Sequence, residues 1–255
     1  MKTGIYLSIR NKATRLPNKS LLPLGGKPLV VFILDRLKEI KGEESVVLCT
    51  SDHNEDVILT QWAKESGVSF FQGNQGDKLH RYYETSKAFD HEAMLIIDGD
   101  DPFVSIDHAK QTIVALEETD ADLVLFDNLP TGAMAFGLKR ATLQKYFEHN
   151  KEGSTEVWAP ILRTLPDLRE LTLYEADSAL THTHARLTID YEEDYRFCSA
   201  VIKTLESQNQ DISYPNIISL LRNKPELTKI NSKVRELYEE NLAQLVQTEK
   251  TGNKL

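Results

Sequence analysis

Five basic side chains, Arg10, Lys12, Arg15, Lys19 and Lys27, crowd the start of a 255-residue chain whose formal net charge is -9. No Asp or Glu precedes Asp35. A local concentration of cations in an acidic protein is an anion site, because Arg presents a planar fork to phosphate oxygens and Lys a compact charge. A second concentration has the opposite sign. Asp98-Gly99-Asp100-Asp101-Pro102 follows directly on the apolar run Ala93-Met-Leu-Ile-Ile97. Carboxylates buried at a strand end without partners are costly. A Mg²⁺ ion relieves that cost, since it takes one or two carboxylates together with waters and substrate phosphates. Phosphate-transfer chemistry is the class that needs both clusters.

The elements around these clusters have to bring them together. Ile5-Tyr-Leu-Ser-Ile9 reads as a buried strand ending at Arg10, and Ile9 is placed at the edge of the site. Residues 28–40 read as a helix, with Pro28 at its first position and Gly42 beyond its end. Residues 45–50 form a β-branched run typical of a strand buried on both faces. A helix over 54–66, a strand over 68–71, a helix over 79–89 and a strand over 93–97 follow. This β-α-β rhythm implies a parallel sheet with right-handed crossovers, in which ligands lie beyond the carboxyl ends of the strands. A helix over 107–118 and a strand over 121–126 continue it. Beyond residue 130 the reading is a strand over 133–138, helices near 141–149 and 155–164, and a strand near 171–175. A strand over 186–190 and a helix over 195–205 come next, then a linker at 206–213 and helices over 214–222 and 232–246.

The order of residues in the basic stretch carries more. Arg10, Thr14, Arg15, Leu16, Pro17, Lys19 and the turn Gly25-Gly26-Lys27-Pro28-Leu29 match a motif. It resembles the opening of the sugar cytidylyltransferases, the CMP-Kdo and CMP-sialic acid synthetases, and is closest to the spore-coat polysaccharide F-type proteins. Lys12 and Asn18 stand where those proteins prefer Gly; Asn tolerates positive φ. Gly99-Asp100-Asp101-Pro102 is similar to their Gly-Asp-Glu-Pro segment, whose Asp is a metal ligand. Arg186-Leu-Thr-Ile-Asp190-Tyr-Glu-Glu-Asp194 resembles their Arg-Leu-Thr-Val-Asp-Thr-Pro-Glu-Asp, whose first Asp completes the metal site. Asp77-Lys-Leu-His-Arg81-Tyr-Tyr is similar to Asp-Val-Leu-Asp-Arg-Tyr-Tyr. Thr155-Glu156-Val-Trp-Ala-Pro160 resembles a Glu-His-Val-Thr-Pro segment near the acceptor pocket, with Val157 in place of His. The resemblance spans about 230 residues.

It implies a Rossmann-like three-layer α/β/α nucleotidyltransferase fold with a mostly parallel sheet. The nucleotidyltransferase domain would cover 1–205, with 130–175 as acceptor-pocket and dimerisation arm and 206–255 as a C-terminal helical extension. The implied reaction is Mg²⁺-dependent transfer of a cytidylyl group from CTP to an anionic sugar, with release of pyrophosphate. Arg10, Lys19 and Asp100 would be catalytic, and Asp100 and Asp190 would hold the metal. Substrate would be bound by Ile9, Arg10, Lys12, Arg15, Lys19, Arg81, Asp98, Glu156 and Arg186. Asp194 is expected as a helix cap or first-turn charge. A homodimer is implied by the same resemblance.

Two other readings stay open. Asp98-Gly99-Asp100 also satisfies the Asp-x-Asp pattern of metal-dependent glycosyltransferases, and the two lost loop glycines could mark a nucleotide-binding protein without turnover. His182 and His184 would share a face if extended, but no matching Cys or His cluster makes them a zinc site. A pI near 5.3 argues against nucleic acid as a partner. No apolar run reaches the roughly 18 residues of a membrane span. Cys49 and Cys198 read as reduced core residues of a cytoplasmic protein, and the N-terminus lacks the pattern of a signal peptide.

Overall fold

The alternation of side chains along the first strand, β1 (Thr3–Ser8), sets out the architecture. Ile5 and Leu7, with Ile9 just beyond, enter one apolar core, while Tyr6 enters the other. The same division holds in β4 (Val46–Ser51) and β6 (Ala93–Asp98), so the sheet is covered on both faces. In the computed structural model, which describes residues 1–11, 15–150, 153–182 and 184–234, seven strands form one sheet. A two-residue hairpin, β2 (Pro23–Leu24) and β3 (Lys27–Pro28), carries the Gly25-Gly26 turn and leads into α1 (Leu29–Lys41). Pro28 therefore ends a strand and caps the helix rather than opening its first turn.

The order of the sheet is β5-β4-β1-β6-β8-β7-β9. Its remaining members are β5 (Ser69–Gly73), β7 (Leu123–Phe126), β8 (Phe136–Lys139) and β9 (Glu170–Leu173). All pairings are parallel except those of β8, which runs antiparallel to β6 and β7. One layer holds α1, α2 (Val57–Glu65), α4 (Ile106–Glu118), α7 (Glu192–Ser207) and α8 (Tyr214–Asn223). The other holds α3 (Lys78–Ala88), α5 (Arg140–His149) and α6 (Trp158–Leu162). Tyr214, Ile217, Ile218 and Leu221 of α8 are buried in the same core as β1. Among the described residues no helix is long and apolar enough to cross a membrane.

Two expected elements differ. Residues 186–190 are buried but make no ladder; a single bridge joins Arg186 to Thr131. Leu187 N donates to Thr131 O at 2.8 Å and Ile189 N to Asp100 O at 2.8 Å, so the segment is divided between two loops instead of pairing with one strand. The helix expected over 155–164 shrinks to α6, because residues 153–157 are held as a lip on α3. The expected helix over 232–246 lies mostly outside the described residues.

Candidate functional site

The chain passes from β1 to α1, β4 and β5 on one side, then returns to place β6 on the other side of β1. That reversal opens a crevice beyond the carboxyl ends of β1 and β6. Arg10 follows β1 there, and Asp98, Gly99 and Asp100 follow or end β6. Gly99 is required by this proximity, since a Cβ on it would lie 2.4 Å from Ile9 Cβ. The resulting cavity has a volume of about 790 Å³. Its charged end is lined by Arg10, Arg15, Lys19, Asp98, Asp100 and Asp190. Its other wall is formed by Met134, Phe136 and residues 157–160.

The loop after β1 is tied to its neighbours by carboxylates. Asn11 N donates to Asp56 Oδ1 at 2.6 Å, and Asp56 also accepts from Ser51 N and Oγ. Asn18 sits in the left-handed region, φ 55°, where the related motif has Gly. A short 3₁₀ turn, Lys19–Leu21, then aims Lys19 into the cavity. Lys12, with Ala13 and Thr14, lies outside the described residues.

Lys19 is the centre of the charged end. Its Nζ donates to Asp100 Oδ2 at 2.8 Å, Ile189 O at 2.7 Å and Asp190 Oδ1 at 3.1 Å. Burial opposes the Lys19 charge, yet Asp100 and Asp190 outweigh it and raise its pKa. Burial raises the Asp100 carboxyl despite Lys19, and burial with Asp100 and Asp98 beside it pushes Asp101 well above the usual carboxylate range. Asp190 moves the other way. Burial would raise it, but Lys19, Arg15 and Arg186 together hold it low.

Arg186 stands behind Asp190 and outside the cavity lining. Its Nη2 donates to Asp190 Oδ2 at 2.7 Å and its Nε to Asp194 Oδ1 at 3.0 Å. Asp194 is completely buried and also accepts from Asp190 N, Tyr191 N and Asn231 Nδ2. Its bond from Tyr191 N satisfies an orphan donor at the start of α7. Arg186 thus orients Asp190 where a substrate-binding role was expected. Gly132, at φ 88°, permits the contact beneath: its Cβ would lie 2.6 Å from Leu187 C and Thr188 N.

Arg81 is not the exposed helix charge its sequence position allows. It is fully buried, lines the cavity and donates from Nη1 to Asn74 O at 2.9 Å. Its Nε and Nη2 have no hydrogen-bond partner among the described residues. Asp98 faces Lys78 Nζ at 3.1 Å rather than Lys19, and Glu156 Oε1 faces Arg10 Nη2 at 2.8 Å. Lys27 pairs with Asp35 away from the cavity.

Lys78 and Asp77 were not singled out by sequence reasoning. The signal for Lys78 was its replacement of an apolar residue in the segment before Arg81. Burial opposes its charge, but Asp98 leads the carboxylates that raise its pKa. Asp77 gave no comparable signal. Its buried carboxylate caps α3 and accepts from Gly153 N and Thr155 Oγ1, which fastens the lip.

Could the site hold a divalent metal? Among the described residues no three His, Cys, Asp or Glu side chains gather as a self-sufficient metal cage. Two carboxylate oxygens, from Asp100 and Asp190, do converge on one cation, the Lys19 ammonium. That donor set fits an ion that completes its coordination with water and substrate phosphates.

The chain is similar to known proteins over most of its length. A profile of the cytidylyltransferase family matches residues 7–214. The chain is 26% identical over 234 residues to the spore coat polysaccharide biosynthesis protein SpsF of Bacillus subtilis, covering 86% of this chain and 94% of that one. A solved cytidylyltransferase from Leptospira borgpetersenii superposes with a TM-score of 0.80 at 24% identity, over 89% of this chain and 97% of that one. A CMP-2-keto-3-deoxy-manno-octonic acid synthetase solved with CTP has a TM-score of 0.59 at 14% identity, over 82% and 100% of the two chains.

Proposed function

The chain belongs to the cytidylyltransferase family, and from that premise we propose that it transfers a cytidylyl group from CTP to an anionic sugar. The acceptor is a 3-deoxy-2-keto sugar acid or a sugar phosphate, Mg²⁺ is the cofactor, and pyrophosphate is released. The product would be an activated sugar nucleotide for surface glycan synthesis. The observation that carries this reading is the convergence of Asp100 and Asp190 on one cation position beside Arg10 and Arg15.

In the reaction an acceptor oxygen attacks the α-phosphorus and the bond from that phosphorus to the oxygen bridging the β-phosphate breaks. A sugar phosphate attacks through an ionised phosphate oxygen, and a sugar acid through a hydroxyl whose proton passes to solvent. Positioning and charge neutralisation supply most of the acceleration. Arg10, Arg15 and Lys19 neutralise the triphosphate and the departing pyrophosphate. Asp100 and Asp190 would hold Mg²⁺, which when bound neutralises charge on the phosphate oxygens and the attacking oxygen. Arg186 and Asp194 keep Asp190 in place.

Arg81 supports CTP as the nucleotide. Arg carries donors only, and its Nε and Nη2 are unpartnered among the described residues. Cytosine offers adjacent acceptors at O2 and N3, whereas uracil places an N–H at N3. Guanine O6 and N7 match the same fork, so Arg81 favours CTP over UTP and the choice against GTP rests on the family. The glycosyltransferase reading loses support because Asp98 and Asp100 do not converge: one meets Lys78 and the other Lys19. A homodimer built through 130–175 and a cytoplasmic location belong to the same proposal.

The test is pyrophosphate release. CTP, Mg²⁺ and a panel of 3-deoxy-2-keto sugar acids and sugar phosphates should give pyrophosphate with at least one acceptor, and none with a neutral hexose. Turnover of a nucleotide sugar instead of CTP would overturn the reading.

A further inference from the structure

The Arg10–Glu156 contact joins two sides of the cavity. Arg10 extends from the end of β1, and Glu156 from the lip that continues into the wall at 157–160. Nη2 of Arg10 lies 2.8 Å from Glu156 Oε1, and Nη1 donates to Gln75 O at 2.6 Å. Both side chains are partly exposed, 24% and 35%, so the pair is weakly held compared with a buried one. The residue before it is fixed. Thr155 Oγ1 donates to Asp77 Oδ1 at 2.6 Å and accepts from Leu79 N at 3.0 Å, and Thr155 N donates to Gly76 O at 3.2 Å. Glu156 can therefore leave Arg10 by side-chain rotation without unfastening the lip.

A triphosphate entering the cavity competes for the same guanidinium, and an Arg–phosphate contact is charge-assisted and bidentate. Glu156 is not stranded when Arg10 turns away, because its charge also acts on Lys78. The freed carboxylate would stand at the border of the charged end and the apolar wall, where it can accept a hydrogen bond from a hydroxyl.

We propose that the Arg10–Glu156 ion pair is a latch between the β1 side of the cavity and its 157–160 wall, opened by the triphosphate of CTP, which frees Glu156 for an acceptor hydroxyl. This rests on the reading of the cavity as a CTP site. It differs from a static role, in which Glu156 holds Arg10 in the right pose for phosphate. The two roles predict opposite signs.

The experiment is calorimetric titration of CTP with Mg²⁺ into the wild type, Glu156→Gln, Arg10→Ala and the double variant. With the latch removed, Glu156→Gln should bind CTP about 1.5- to 5-fold more tightly, the size of a partly exposed ion pair. A general gain from losing one negative charge would persist without Arg10. The latch predicts instead that the gain disappears in the Arg10→Ala background, as a double-mutant cycle reads directly. Unchanged or weaker CTP binding by Glu156→Gln, or a gain that survives in the double variant, overturns the latch alone. Failure of the wild type to bind CTP overturns the reading of the cavity and the latch with it. Glu156→Ala repeats the measurement should the Gln variant fold poorly, and near-UV circular dichroism verifies each fold.

Discussion

The two sides of the cavity are built differently. On the Asp190 side, the carboxylate is 8% exposed and is held by Arg186, itself 3% exposed, which is held in turn by the fully buried Asp194 and by Asn231. On the lip side, the pairs of Arg10 with Glu156 and Lys78 with Asp98 are partly exposed. A buried and fully hydrogen-bonded network is costly to break, because removing one member strands another charge in a dry site. A partly exposed pair costs little to exchange. The molecule thus keeps Asp190, one of the two carboxylates that would receive a metal, in a fixed position, and leaves exchangeable the groups that must change partners as substrates enter.

The largest effect should come from breaking the rigid side. Asp194→Ala removes a buried carboxylate from the Arg186 guanidinium and the shared acceptor of Asp190 N, Tyr191 N and Asn231 Nδ2, and should cost about 3–5 kcal/mol of stability, measured by denaturant unfolding. A cost under 1 kcal/mol would mean that the network is not the support of Asp190. Asp100→Asn should leave unfolding nearly unchanged and lower turnover by about 10²- to 10³-fold, the loss typical of removing one preorganised electrostatic group. Unaltered kcat would remove Asp100 from the metal site.

Gly132→Ala tests the backbone beneath Asp190. Its Cβ would meet Leu187 and Thr188 backbone atoms at 2.6 Å in a φ 88° conformation, so about 1–3 kcal/mol of strain is expected, with turnover falling as Asp190 shifts. A neutral substitution would show that the 131–188 contact is loose. The smallest effect belongs to the lip side. Lys78→Met should change stability by less than about 1 kcal/mol, and a larger loss would erase the contrast between the two sides.

The same contrast governs how much could be read in advance. The parallel core and the strand ends were legible, because β1, β4 and β6 are near-continuous apolar runs, the pattern of strands buried on both faces. The basic loop and Asp98-Gly99-Asp100-Asp101 were legible because charge clustering beside an apolar run is local information. The segment 186–190 reads as a strand, but its partners are Thr131 and the Asp100 carbonyl, which lie far away in sequence. The resemblance implies a substrate-binding role for Arg186, and only the fold places Asp194 and Asn231 beside it. Helix spacing left Arg81 free to be solvated, and its burial comes from β5 and the 74–77 loop packing over α3. Asp77 stands in the matched motif, but its role was not legible there, since a helix-capping Asp looks the same whether or not it fastens a lip.

The most direct test of the cytidylyltransferase reading is a thermal-shift panel of the four nucleoside triphosphates, each with and without Mg²⁺. Ligand at about 100 times its dissociation constant stabilises by about 2.7 kcal/mol, which is a few degrees in a protein of this size. The account predicts a shift with CTP that grows when Mg²⁺ is present and is absent with the purine nucleotides. A shift with a purine triphosphate alone, or with none of the four, would contradict it.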